Sequence, residues 1–221
     1  ALTATTIGSS AGVTITGTTP TLTIGDAGAE DAKIVFDGNA QDFHIGLDDT
    51  ADDLVIGLGS ALGTTTHMAF TEAGEIIKPL QPAFLVQPTS KQTNIAVGGY
   101  VNIVFGTERF DVGSNFASNT FTAPVTGKYQ LNLHVRLDTL DTDVSSMYYQ
   151  IYIWTSNNQF ASTTASNSDS FNDDIGFWPF AFGVLADMDA SDTAYCRVYQ
   201  SDGAAQTDID QATWFSGYLA T

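Results

Sequence analysis

Carboxylates are the residues of this sequence with the most evident capacity for chemistry, and they come in clusters. Asp187, Asp189 and Asp192 lie within "DMDASD", Asp138, Asp141 and Asp143 within "DTLDTD", and Asp173 and Asp174 within "NDD". A calcium ion takes about six to eight oxygen ligands and favours several carboxylates among them. None of the clusters follows the Asp-x-[Asp/Asn]-x-[Asp/Asn]-Gly order of a calcium loop, because Ser191 stands where a third ligand would and no glycine follows. Short acidic runs between strand-forming segments read first as solvated turns. Asp187, Asp189 and Asp192 are the calcium candidates, and no other cofactor is expected.

The remaining reactive types are scattered. His44, His67 and His134 have no partner at His-x-x-x-His or Cys-x-x-Cys spacing, so nothing points to zinc. There is no Gly-x-Ser-x-Gly elbow. "GLGSALG" (Gly57 to Gly63) runs into threonines instead of the helix that a dinucleotide loop needs. Cys196, the single cysteine, sits in the strand-like "TAYCRVYQ" and reads as a buried, inert thiol with no partner for an intrachain disulfide. Glycan hydrolysis would call for two carboxylates held across a groove, and no enzyme is expected. Binding is better served by Thr155 to Asp174, "TSNNQFASTTASNSDSFNDD", which is rich in hydroxyls and amides. It reads as a solvated crossover or as a recognition loop, since polar loops on a rigid scaffold commonly carry binding. Asn157, Asn158, Phe160, Phe171 and Asn172 are its candidate ligand contacts, and sugars are the chemistry they suit.

Strands must hold these residues in place. Of 221 residues only 14% are charged, against 14 Phe and 8 Tyr, and apolar residues alternate or come in short runs bounded by Gly, Asp, Asn and Thr. That is the pattern of an ordered, all-β protein. Acidic residues outnumber basic ones 25 to 7, for a net charge of −18. Such a field repels a phosphate backbone, so nucleic acid is excluded as a partner. No basic segment followed by an apolar stretch opens the sequence and no apolar run reaches the length of a membrane span, so membrane insertion is not expected.

The strands follow two grammars. Residues 1–78 repeat short units, "TTIGSS", "VTITGTT", "TLTIGDAG", "KIVFDGN", "FHIGLDD", "LVIGLGS" and "MAFTEAG", each a brief strand ending in a turn. Ile24, Ile34, Ile45 and Ile56 recur at near-equal spacing, a degenerate repeat. Strands this short cannot enclose a core from one copy of the chain, so the core must be shared; the expectation is a slender, intertwined β shaft built by three chains. Residues 79–82, with Pro79 and Pro82, form a stiff junction. Residues 83–221 carry longer strands and most aromatics, as in a β-sandwich of the jelly-roll kind.

Within that last region Phe105, Asp111, Phe116, Phe121, Gly127, Tyr129, Leu131 and Leu133 fall on a recognisable pattern. It resembles the globular head of complement component 1q, a relative of the tumour necrosis factor jelly rolls. One spacing departs, Phe116 to Phe121 being two residues short, and Leu131 and Leu133 stand where that family has aromatics. "PAFLVQ" resembles the family's opening strand and "FSGYL" its closing one, while Gly127 is expected to supply a tight turn. The resemblance implies a ten-stranded jelly roll that trimerises and binds ligands through its apex and flank loops. Animal members place a collagen stalk before the head; this sequence has no Gly-X-Y repeat.

A repetitive β shaft ending in a trimeric head is the general plan of viral fibres, and the segment from Lys33 to Ser60 resembles bacteriophage appendage sequences. The expected function is therefore a virion structural protein of a bacteriophage: a tail fibre, head fibre or capsid decoration protein, assembled in the host cytoplasm. Its partners would be itself, as a homotrimer, the capsid or tail proteins, and a host-surface glycan or protein. The alternative is a secreted or cell-surface bacterial lectin-like binding module.

Overall fold

The protein is described by a computed structural model covering residues 12–166, 168 and 171–221. The chain divides into two compact units, Ala1–Pro79 and Leu80–Thr221.

The N-terminal unit contains one five-stranded antiparallel meander. Its strands are β1 (Ala32–Phe36), β2 (Phe43–Asp48), β3 (Asp53–Leu58), β4 (Thr66–Phe70) and β5 (Ile76–Ile77), paired in chain order. The repeat explains the register. Ile34 lies opposite Ile45, Ile45 opposite Ile56, and Ile56 opposite Met68, so equivalent residues form a row across the sheet. Because side chains alternate along a strand, every residue in register with that row shares its face. The face comprises Ala32, Ile34 and Phe36 of β1, Phe43, Ile45 and Leu47 of β2, Leu54, Ile56 and Leu58 of β3, Met68 and Phe70 of β4, and Ile76 of β5. Apart from Thr66 at its corner it is apolar throughout and open, with Phe36 60% and Ile76 58% exposed. The reverse face is mixed. There a Cβ on Gly46 would stand 2.5 Å from the Ala32 carbonyl oxygen, and one on Gly57 2.6 Å from the His44 ring. That close approach leaves His44 buried, with Nδ1 donating to the Gly59 carbonyl at 2.9 Å.

Two of the short units read as strands from sequence, "VTITGTT" and "TLTIGDAG", form none, and Ile24 lies outside the sheet. No ladder among the described residues is offered to them, and an unpaired strand gains nothing over solvated coil. "TTIGSS" lies outside the described residues.

The C-terminal unit is the all-β sandwich expected of a jelly roll. Its strands are β6 (Ala83–Gln87), β7 (Tyr100–Asn102), β8 (Thr107–Val112), β9 (Phe116–Ala117), β10 (Thr120–Thr122), β11 (Gly127–Leu140), β12 (Tyr148–Thr155), β13 (Gln159–Ala165), β14 (Ile175–Met188), β15 (Thr193–Gln200), β16 (Asp208–Ile209) and β17 (Trp214–Leu219). One sheet runs β14-β11-β17-β6-β8 with β16 beside β11; the other runs β13-β12-β15-β10-β9 with β7 beside β15. The core between them takes alternate residues from each: Tyr129, Leu131, Leu133, Val135 and Leu137 from β11, Tyr149, Ile151 and Ile153 from β12, and Cys196 and Val198 from β15. Phe84 stacks on Phe121 with centroids 4.7 Å apart and meets Phe215 edge-on at 5.0 Å, joining the sheets through aromatic contacts.

The pattern residues have separable jobs. Asp111 accepts from the backbone N–H groups of Asn115 (3.1 Å) and Phe116 (2.8 Å) and so shapes the turn into β9. Tyr129 is buried and donates its hydroxyl to the Val125 carbonyl at 2.8 Å. Gly127 is required for a reason other than the tight turn expected: a Cβ there would lie 2.6 Å from both the Thr221 carbonyl oxygen and Leu219 Cδ1. The opening and closing strands pair directly, Phe84 opposite Gly217, and the Leu219 N–H reaches the Pro82 carbonyl at 3.0 Å. Thr155 to Asp174 is not one long loop. It contains the whole of β13, whose Thr, Ser and Ala alternation reads as polar because one of its faces meets solvent.

Candidate functional site

The sequence candidates separate to opposite ends of the sandwich. Asn157 and Asn158 occupy the turn between β12 and β13, with Phe160 at the start of β13, half-buried against the core. Asp187, Asp189 and Asp192 lie at the turn between β14 and β15, and the two turns touch. Asp192 accepts from Ser156 Oγ (2.7 Å), Asn157 Nδ2 (2.6 Å) and the Asp189 N–H (2.7 Å). The Ser156 bond foremost, followed by the bond from the Asp189 amide, holds its carboxyl below the usual carboxylate range. Asp187 pairs with Lys128 Nζ at 2.5 Å. A small cleft of about 200 Å³ is lined by Thr155, Asn157, Asn158, Phe160, Asp187 and Asp189. This is the end at which the chain enters the unit, since Lys128 also exchanges backbone bonds with Ala220 and Thr221.

Phe171 and Asn172 are elsewhere. Phe171 meets Trp178 edge-on at 5.7 Å, and Asn172 is exposed beside it. Near them a different set of carboxylates gathers: oxygens of Asp141, Asp143 and Asp174 lie within 4.8 Å of one another, the one such group among the described residues. The carboxylates of Asp141 and Asp174 act as loop ties. Asp141 is buried and accepts from the N–H groups of Asp143 (2.9 Å) and Ala204, while Asp174 accepts from the Thr142 N–H (3.1 Å) and Gln206 Nε2 (2.6 Å). The cluster joins the loop after β11 to the loops before β14 and β16.

Between these ends, the outer face of the second sheet holds a surface not expected from the sequence. Tyr149, Ile151 and Ile153 of β12 and Cys196 and Val198 of β15 point into the core. Their alternates, Tyr148, Gln150, Tyr152 and Trp154 with Tyr195, Arg197 and Tyr199, therefore lie on the outside, joined by Tyr100 and Asn102 of β7. The rings touch in a continuous array. Tyr100 meets Tyr152 at 5.3 Å, Trp154 at 5.4 Å and Tyr199 at 5.3 Å; Tyr148 meets Tyr199 at 5.9 Å; Trp154 stacks on Tyr195 at 6.1 Å. The Arg197 guanidinium carbon sits 4.3 Å from the Trp154 centroid, 4.9 Å from that of Tyr195 and 5.7 Å from that of Tyr100, and its Nε donates to Asn102 Oδ1 at 2.8 Å. Burial, reinforced by Tyr100, pushes the Tyr152 phenol up to about 12, and its hydroxyl donates to Gln150 Oε1 at 2.6 Å. Burial beside Tyr148 raises the Tyr199 phenol as well. The Tyr152 and Tyr199 phenols are therefore protonated at neutral pH and available as donors. The period-two spacing of "YYQIYIW" and "YCRVYQ" is the signal that marks this face.

The three histidines support no catalytic reading. His44 is held by Gly59, His67 lies edge-on to Phe43 at 6.0 Å, and His134 stacks on Trp214 at 5.5 Å.

Residues 83–220 match the family model of the C1q domain. The chain belongs to the C1q domain family. No curated protein matches it. Among solved structures, the globular domain of zebrafish complement 1qA is similar at 16% identity and a TM-score of 0.43, covering 64% of this chain and 98% of that one. Murine APRIL, in its structure at pH 8.5, is similar at 9% identity and a TM-score of 0.42, with 63% and 98% covered. The acidic cluster and the outer aromatic face both belong to the C1q domain, on β-strands and loops that its two sheets position.

Proposed function

We propose that the chain is the subunit of a homotrimeric appendage on a bacteriophage particle, a tail fibre, head fibre or decoration protein whose C1q domain binds the host surface. The observation that carries this reading is the apolar face of the N-terminal sheet. About a dozen large side chains on a single uncovered layer would be an aggregation hazard. Two further copies of the same sheet, presenting the same face, would cover it around a threefold axis. The C1q domain would then set the stoichiometry and the three N-terminal sheets would zip behind it. Three identical heads give avidity, so weak contacts with a host glycan or protein hold a particle. The role is non-enzymatic, its partners are capsid or tail proteins, and assembly takes place in the host cytoplasm, where the absence of disulfide pairing within the chain is no handicap.

The exposed aromatic face favours a second reading, a secreted or cell-surface bacterial lectin-like module, because a binding surface needs no particle behind it. Two measurements divide the cases. Sedimentation of the purified chain should give three times 23.5 kDa, and a monomer at micromolar concentration would overturn the trimer. Density for the chain on intact particles supports the virion role, whereas its presence only in culture fluid or on bacterial cells supports the second reading.

A further inference from the structure

The outer face of β12, β15 and β7 is unusual for a sheet surface in water. Such faces ordinarily carry charged and small polar side chains, yet this one carries six aromatic rings. Tyr152 is buried among its neighbours at 7% exposed, and the other five reach solvent, Tyr100 50% and Tyr148 36% exposed. The rings are locked against one another by the contacts above, so a ligand meeting them would lose little protein freedom on binding. The polar groups among them are phenol hydroxyls, the amides of Gln150 and Asn102, and one guanidinium. The chain carries only seven basic residues, and of these Lys91, Lys128 and Arg136 are matched to aspartates. Arg197 forms no ion pair among the described residues, in a chain whose net charge is −18.

We propose that this face binds an acidic saccharide, a pyranose ring resting on Tyr100 and Tyr148 with its carboxylate against the Arg197 guanidinium. The C–H face of a sugar ring is apolar and meets an aromatic face well, while its hydroxyls exchange hydrogen bonds with phenols and amides. A planar guanidinium held flat by Trp154 and Asn102 offers a carboxylate a fixed pair of donors. Other occupants fit worse. Nucleic acid is repelled by the net charge. A second copy of the same face would set Arg197 against Arg197. A mainly apolar protein patch would strand the phenols and amides without partners. The inference rests on reading the C1q domain as a binding module, but not on its attachment to a virion.

The test is an array of uronate-, sialate- and pyruvate-bearing oligosaccharides beside their neutral parents, probed with the full-length chain and followed by titration calorimetry of the best ligand. Wild-type protein should bind carboxylated glycans and quench its tryptophan fluorescence on doing so. Arg197→Gln should weaken that binding by roughly tenfold or more, the scale of one charge-assisted hydrogen bond, and Tyr100→Ala should abolish it. Both side chains point outward, so far-ultraviolet circular dichroism and sedimentation should be unchanged. Glycan binding that is indifferent to the carboxylate, or to both substitutions, would overturn the inference and leave the binding-module reading standing. An array blank for the wild type would overturn the saccharide inference and leave a host protein as the ligand of the binding-module reading.

Discussion

Ile45 sits mid-row on the open face of the N-terminal sheet, between Ile34 and Ile56. If that face is covered in the assembly, Ile45→Asp removes a buried side chain worth about 1.5–3 kcal/mol. A threefold assembly loses that amount three times, about 5–9 kcal/mol, before any cost of desolvating three carboxylates. At about 1.4 kcal/mol per decade this weakens sheet association by roughly three to six orders of magnitude. Hydrogen exchange on the full-length chain reads it out. Amides of β2 to β4 should lose protection in Ile45→Asp, while those of β11 and β12 in the C1q domain keep theirs. Val35→Asp, on the reverse face of β1, is the matched control and should change stability by no more than about 0.5 kcal/mol. Equal protection of β2 to β4 in both variants would show that nothing covers the apolar face, and the shared-core reasoning would fall.

Two further outcomes follow from buried groups in the C1q domain. Burial pushes the Asp138 carboxyl up, but hydrogen bonds from Arg136 Nε (3.0 Å) and Lys91 Nζ (2.8 Å) outweigh it and hold the group below its ordinary value. A depressed carboxylate stabilises the fold above its unfolded-state pKa, and that contribution fades as pH falls through the folded value. Asp138→Asn should therefore flatten the acid limb of a stability-against-pH curve measured by denaturant melts, and an unchanged limb would remove Asp138 from the account. Cys196 is 1% exposed and burial raises its thiol well above the ordinary range. It should resist a thiol reagent in the native protein and react fully in denaturant; rapid native labelling would contradict the packing of β15.

The parts of the fold legible in sequence were those fixed by short-range alternation. The repeat spacing of Ile34, Ile45 and Ile56 placed three residues that the meander sets side by side. Tyr129, Leu131 and Leu133 were readable as one face of a strand, and all three are buried. Gly127 was legible as a special position but not for its reason, because the colliding atoms belong to Leu219 and Thr221 at the far end of the chain. Composition misled over β13: its hydroxyl-rich sequence reads as loop until its pairing with β12 supplies the backbone partners. The candidate contacts Asn157 and Phe171 came from one stretch of sequence, yet β13 carries the chain away between them. The outward placing of Tyr148 and Tyr199 is hidden in the sequence for the opposite reason. Aromatic residues in strands are core by default, and only the burial of their alternates reveals which ones face outward.

The direct pairing of β6 with β17 has a practical consequence. Because Thr221 lies beside the point where Leu80 leads into the C1q domain, a tag or chip linkage at the carboxyl terminus would crowd only that rim. Protein immobilised through its last residue should present the tyrosine-lined flank and the opposite loops freely to solution, which makes that coupling chemistry the natural one for ligand screening.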